Sequence, residues 1–221
     1  MTAPSSRRHL DVPPPPDVPA ATRRTAVLAA AAIVAYQVLL LAAIAVRPEL
    51  DATHVPPSEY AIGRRGGVAV LAFLTAAVAY AFLFAAVRPL VRDRAGRAGV
   101  ALLGICVLGT AGVGVFVADP IATPAAELTA RGVVHVVCGL SALVLLPFAA
   151  LLLNLDLARR AVPADARTLR LTAALPLAGL LGHWALSVVV PPLGWPPRLL
   201  FLAYAVWLVA LAGRLRSWNK S

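Results

Sequence analysis

Charge is scarce in this chain, and acidic charge scarcer still. Only 14% of its 221 residues are charged, with 10 acids against 20 basic residues, whereas ordinary soluble domains carry about 25%. A chain this short of charge and 60% hydrophobic cannot clothe a soluble fold. There are two cysteines, Cys106 and Cys138, so no disulfide framework is available. Helical rise places them about 9 Å apart in depth, beyond the roughly 7 Å between Cα atoms that a disulfide tolerates; both read as small packing side chains. The chain also lacks His-Glu-x-x-His, Gly-x-Ser-x-Gly, a Walker loop and Gly-x-Gly-x-x-Gly, so no strong catalytic or nucleotide-binding signature is present. No internal repeat stands out, and the apolar stretches do not alternate as barrel strands would.

What the chain has instead is apolar residues in blocks. Six qualify as membrane spans, at 25–46, 67–87, 98–118, 132–153, 170–190 and 198–213. At about 1.5 Å of rise per residue, five of them cover a hydrocarbon core of about 30 Å. The sixth is short and is expected to draw on its flanks or thin the bilayer. The fold class is therefore an all-α membrane protein, a bundle of six transmembrane helices. Residues 1–24 read as a Pro- and Arg-rich cytoplasmic tail, 25–213 as the transmembrane domain and 214–221 as a short basic tail. Pro13 to Pro16 favour an extended polyproline conformation. The first apolar block starts too late and runs too long for a cleaved signal sequence, so it is expected to stay as a span.

The positions of the basic residues set the orientation. With six spans, 15 of the 20 fall on one side: the N-terminal tail, the 88–97 and 159–170 connections, and the C-terminal tail. Arg47, Arg64, Arg65, Arg131 and Arg198 take the other. Positive loops stay in the cytoplasm, so both termini are expected inside. The excess charge then serves topology and attraction to lipid headgroups, and calls for no nucleic-acid partner. The expected partners are membrane lipids, with other membrane proteins or a second copy of the chain as further candidates.

Polar residues near the outer ends of the spans are the candidate site. Asp119 ends span three, Glu127 lies in the following connection, His135 enters span four about 4–5 Å deep and His183 lies about 10 Å deep in span five. Ionisable groups at such depths usually face a protein interior. Small residues share their faces, Cys138, Gly139 and Ala142 with His135, and Gly179 and Ser187 with His183. Both histidines are thus expected to point into the bundle. His54 and Glu59 of the first outer loop are within the same region. The candidate ligand-binding set is Asp119, Glu127, His135, His183 and Ser187. Three of them, Asp119, His135 and His183, could hold a divalent metal with one open position, and Glu127 could then act as general base on a lipid headgroup. A depth difference of about 6 Å between the histidines argues against a shared haem. The alternative for all of these groups is structural: hydrogen bonds between helices and an ordinary Asp-Pro turn. A transporter finds little support, because the inner halves offer only Tyr36, Gln37, Thr75 and Tyr80, which make no continuous polar path. Pro147 and Pro176 are expected to kink spans four and five, with neighbours satisfying the freed carbonyls.

The run Gly114-Val115-Phe116-Val117-Ala118-Asp119-Pro120, followed by Gly132-Val133-Val134-His135, resembles the signature of the prokaryotic family called domain of unknown function 998. Its members typically end the third of six spans with Gly-x-Phe-Pro-x-Asp and open the fourth with Gly-x-x-His. Val117 stands where the family often has Pro. The resemblance covers about residues 27–213 and implies that Asp119 and His135 are the characteristic polar pair; it implies no activity. The dominance of Ala, Arg and Val over Lys, Ile and Asn fits a GC-rich bacterial genome, and the expected location is a bacterial inner membrane. The functional expectation is a multi-pass protein that binds a lipid or a partner helix through its outer-leaflet half, the alternative being a metal-dependent lipid-modifying enzyme.

Overall fold

A computed structural model describes residues 18–189 and 194–218. Most of the expected N-terminal tail, with its polyproline run, and the last three residues lie outside them. Six helices are long and apolar enough to cross a membrane: α1 Ala20–Val46, α2 Gly67–Val87, α3 Arg94–Val115, α4 Ala130–Ala158, α5 Pro163–Val189 and α6 Trp195–Ser217. No strand occurs among the described residues. Each helix packs on its neighbour in sequence, and α6 returns to α1, so the six close into a ring. The short sixth block proves to be part of a 23-residue helix. Residues at the edges of the apolar block, Arg198, Arg214 and Arg216 among them, continue the helix instead of ending it.

Burial shows why these sequences suit lipid. In α1 the buried residues Ala26, Ala29, Ile33, Tyr36, Leu40 and Ala43 recur every three or four positions, a stripe whose alanines let neighbours approach. Val34, Val38 and Leu41 are exposed on the other faces, as hydrocarbon permits. The Gly-rich α3 is not a central helix, as its glycines could suggest; it lies in the ring between α2 and α4. Its glycines serve those two seams. A methyl at Gly112 would lie 2.4 Å from Cys138 Sγ of α4, and one at Gly114 would lie 2.8 Å from a Leu74 methyl of α2. Both cysteines are free.

Helix starts and interruptions carry local explanations. Asp93 and Thr129 cap α3 and α4, accepting from the amides of Gly96 at 2.6 Å and Gly132 at 3.0 Å, as short polar side chains do at exposed helix amides. Helix α4 runs through Pro147, which has no N–H for the Leu143 carbonyl four residues back. The Tyr204 hydroxyl of α6 donates to that carbonyl at 2.6 Å. Deeper towards the chain ends, fully buried Asn154 donates to the Leu169 carbonyl and Thr172 Oγ1 of α5 and accepts from Trp207 Nε1 of α6. One side chain therefore ties three helices together.

At the opposite end, residues 47–66 form a lid. Arg198, at the start of α6, donates to the carbonyls of Ala52, Val55 and Gly194 and lies 5.3 Å over the Tyr60 ring. Arg47 donates to the carbonyls of Glu59 and Ile62. Gly63, with φ +85°, makes the turn that brings the lid back to α2, in a conformation costly for other residues.

Candidate functional site

The hairpin between α3 and α4 holds two of the expected site residues. Asp119 Oδ2 accepts from the Thr129 amide at 2.7 Å, and Thr129 Oγ1 donates to the same carboxylate. Asp119 thus steadies the capping residue of α4. A methyl at Gly132 would lie 2.0 Å from that carboxylate, so the helix start is shaped around it. His135 Nδ1 lies 2.6 Å from the Phe116 carbonyl at the end of α3. A carbonyl only accepts, so Nδ1 carries the proton and donates, which leaves Nε2 as the ring's other polar atom. Both groups bridge the turn, each to a different partner.

The remaining expected residues are dispersed. Glu127 is exposed on a one-turn 3-10 segment, Ala125–Glu127. His183 and Ser187 are half-buried on α5, where His183 Nδ1 and Ser187 Oγ are enclosed without a hydrogen-bond partner among the described residues. In the first loop, His54 pairs with Asp51, and Glu59 Oε1 accepts from the Ile121 amide at 2.5 Å, which joins the lid to the hairpin. Asp51 is held down at about 2, chiefly by the Thr53 hydroxyl and amide and then by His54. No group of three His, Cys, Asp or Glu side chains able to hold a metal occurs among the described residues. Asp119, His135 and His183 therefore do not assemble as a ligand set: Asp119 is engaged at the α4 cap, and His183 rides on α5, which the ring separates from α3.

A different constellation surrounds His135. It lines a cavity of about 200 Å³ inside the ring, walled by α1, α2, α3, α4 and α6 and covered by the lid residues Pro56 to Ser58. Four polar side chains line it with free groups: the Tyr36 and Tyr80 hydroxyls, Thr110 Oγ1 and His135 Nε2 have no hydrogen-bond partner among the described residues. All four residues are more than nine-tenths buried, at 3%, 6%, 7% and 7% exposure. Apart from Ser58 of the lid and Tyr204, whose hydroxyl donates to the Leu143 carbonyl, the rest of the wall is apolar, with Phe73, Val113, Leu143 and Phe201 prominent, and no charged side chain lines it. Buried polar groups normally find partners. Four left open on one apolar cavity are what a binding site for an uncharged molecule presents.

Tyr36 and Tyr80 are the residues that sequence reasoning passed over, as isolated polar points in separate spans. A signal was present: Ala76 and Ala77 precede Tyr80 by one turn, the small-residue context that marked the histidine faces. What depth counting could not show is that Tyr36 of α1, Tyr80 of α2 and His135 of α4 line one cavity. Tyr36 lies about 15 Å from the end of α1, so the cavity extends from the lid towards the middle of the helices.

No curated protein and no solved structure matches the chain. The family model described as "Protein of unknown function (DUF998)" matches residues 29–214, nearly the whole helical ring with the Asp119 and His135 hairpin inside it, and the chain belongs to that family.

Proposed function

We propose that the protein binds an uncharged, membrane-dissolved molecule in the cavity beneath the lid. The observation that carries this reading is the convergence of Tyr36, Tyr80, Thr110 and His135, each deeply buried and each with an unused hydrogen-bonding group. Their chemistry describes the ligand. Hydroxyls and an imidazole nitrogen exchange hydrogen bonds with neutral polar groups, so the ligand carries a carbonyl or hydroxyl on an apolar body. The absence of charge from the wall disfavours a phosphate or ammonium, whose burial without a partner is costly. Size adds a limit. An engineered cavity of about 150 Å³ takes benzene, so about 200 Å³ suits a ring-sized headgroup or a short branched segment of a lipid.

The crowding of basic residues at the end of the bundle that holds the chain ends supports a cytoplasmic placement of that face. The cavity then opens into the outer-leaflet half of a bacterial inner membrane. The test is extraction and mass spectrometry of molecules that co-purify with the protein, comparing the natural chain with Y36F/Y80F and with G139L, which fills the cavity. Losing two hydrogen bonds of about 1 kcal/mol each weakens binding by about 30-fold. A stoichiometric neutral molecule that disappears from both variants, with helicity and melting temperature kept, is the expected result. Retention of that molecule at wild-type occupancy in both variants overturns the reading.

A further inference from the structure

At the other end of the bundle the charges do not balance. The described residues of that end include three acids, and each is already paired: Asp93 with Arg159, Asp156 with Arg160 and Asp165 with Arg214. Asp165 is close in sequence to Arg167 but is buried and turned towards α6, where Arg214 also reaches Thr168. Arg167 and Arg170 are exposed on the opposite side of α5 and have no carboxylate partner among the described residues. They line a groove of about 560 Å³ with Arg159, Ala158, Pro163 and Leu171, where the end of α4 meets the start of α5. Arg159 spends one Nη on Asp93 and stays 61% exposed, leaving N–H groups free for the groove.

We propose that this groove binds the phosphate of an anionic phospholipid headgroup. Arg167 and Arg170 are three residues apart on one helix, so their Cβ atoms lie about 5–6 Å apart and their guanidinium groups can close on one phosphate. Guanidinium matches phosphate oxygens in bidentate pairs. Depth points to a lipid as the source. From Leu171 to Val189, α5 holds no Asp, Glu, Lys or Arg, so Arg170 marks the membrane boundary. Leu171, at 63% exposure, begins the apolar side along which an acyl chain would run. A zwitterionic headgroup would bring its ammonium against three guanidiniums, which selects a headgroup with net negative charge. The site lies at the opposite end of the ring from the cavity and does not rest on the ligand proposed there.

The experiment is native mass spectrometry of the full chain, delipidated in detergent and titrated with phosphatidylglycerol, phosphatidylcholine or inorganic phosphate. The natural chain is expected to hold one phosphatidylglycerol at least about tenfold more tightly than phosphatidylcholine. That preference is expected to vanish in R167Q/R170Q and to persist in R64Q/R65Q, which removes two exposed arginines from the other face. Should the double variant fail to fold, R170Q alone is read against the same control, with a reduced preference expected. Equal retention of both lipids by the natural chain overturns the proposal, as does a preference that survives R167Q/R170Q, or in its place R170Q. Inorganic phosphate that binds this groove as tightly as phosphatidylglycerol also overturns it, since the ligand would then be a free anion.

Discussion

Pro147 leaves one carbonyl without its usual helix donor, and Tyr204 fills that vacancy from another helix. The pair makes a sharp double-mutant test. Tyr204→Phe is expected to cost about 1 kcal/mol of stability by removing the donor. In a Pro147→Ala background the helix supplies its own amide, so the same change is expected to cost clearly less, as read by melting in detergent. Asn154 is a second such point. Asn154→Ala strands Trp207 Nε1 inside the bundle, and an unsatisfied buried donor costs about 1–3 kcal/mol. Asn154→Ala should therefore lower the melting temperature more than Thr25→Ala, whose hydroxyl only bonds backward along exposed α1. Acid sensitivity is also argued residue by residue. Asp51 has its pKa depressed to about 2 by the Thr53 and His54 contacts. Its contribution is full above the ordinary carboxylate range and is lost as pH falls from about 4 towards 2. Asp51→Asn is expected to flatten that part of a stability–pH profile.

Between elements, the seam of α3 and α4 depends on missing side chains. Gly112 faces Cys138 Sγ, and Gly109 faces the Cys138 carbonyl at 2.7 Å from an added methyl. Gly112→Ala is expected to destabilise by about 1–3 kcal/mol through overpacking, and Cys138→Ala should recover part of the loss by removing the sulfur. Thermal melts of the two single variants and the double variant check this. Small residues spaced along α3 were readable in the sequence as packing signals. The helix's position in the ring was not, because a glycine face says that something comes close without saying which helix does.

For the whole molecule, closure of α6 on α1 turns six separate spans into a ring with an interior, and the lid covers one end of it. Arg198 fastens that lid to α6 through the Ala52 and Val55 carbonyls. Arg198→Gln is expected to raise hydrogen exchange at the amides of 50–58 at least several-fold, while exchange in the core of α3 stays unchanged. Exchange in the lid that matches the natural chain would show that Arg198 does not hold it.

Length, hydropathy and residue type determined the spans, because each membrane helix satisfies its own backbone and must be apolar over about 20 residues. The Phe116–Asp119 and Gly132–His135 pieces likewise announced the family and the hairpin before any coordinates. Tertiary structure alone decided which polar groups share a site. Depth along a helix can be counted from the sequence, but azimuth and neighbour depend on how six helices pack. That is why Asp119 joins the α4 cap, His183 stays on α5 away from the cavity, and two tyrosines from α1 and α2 share a cavity with His135.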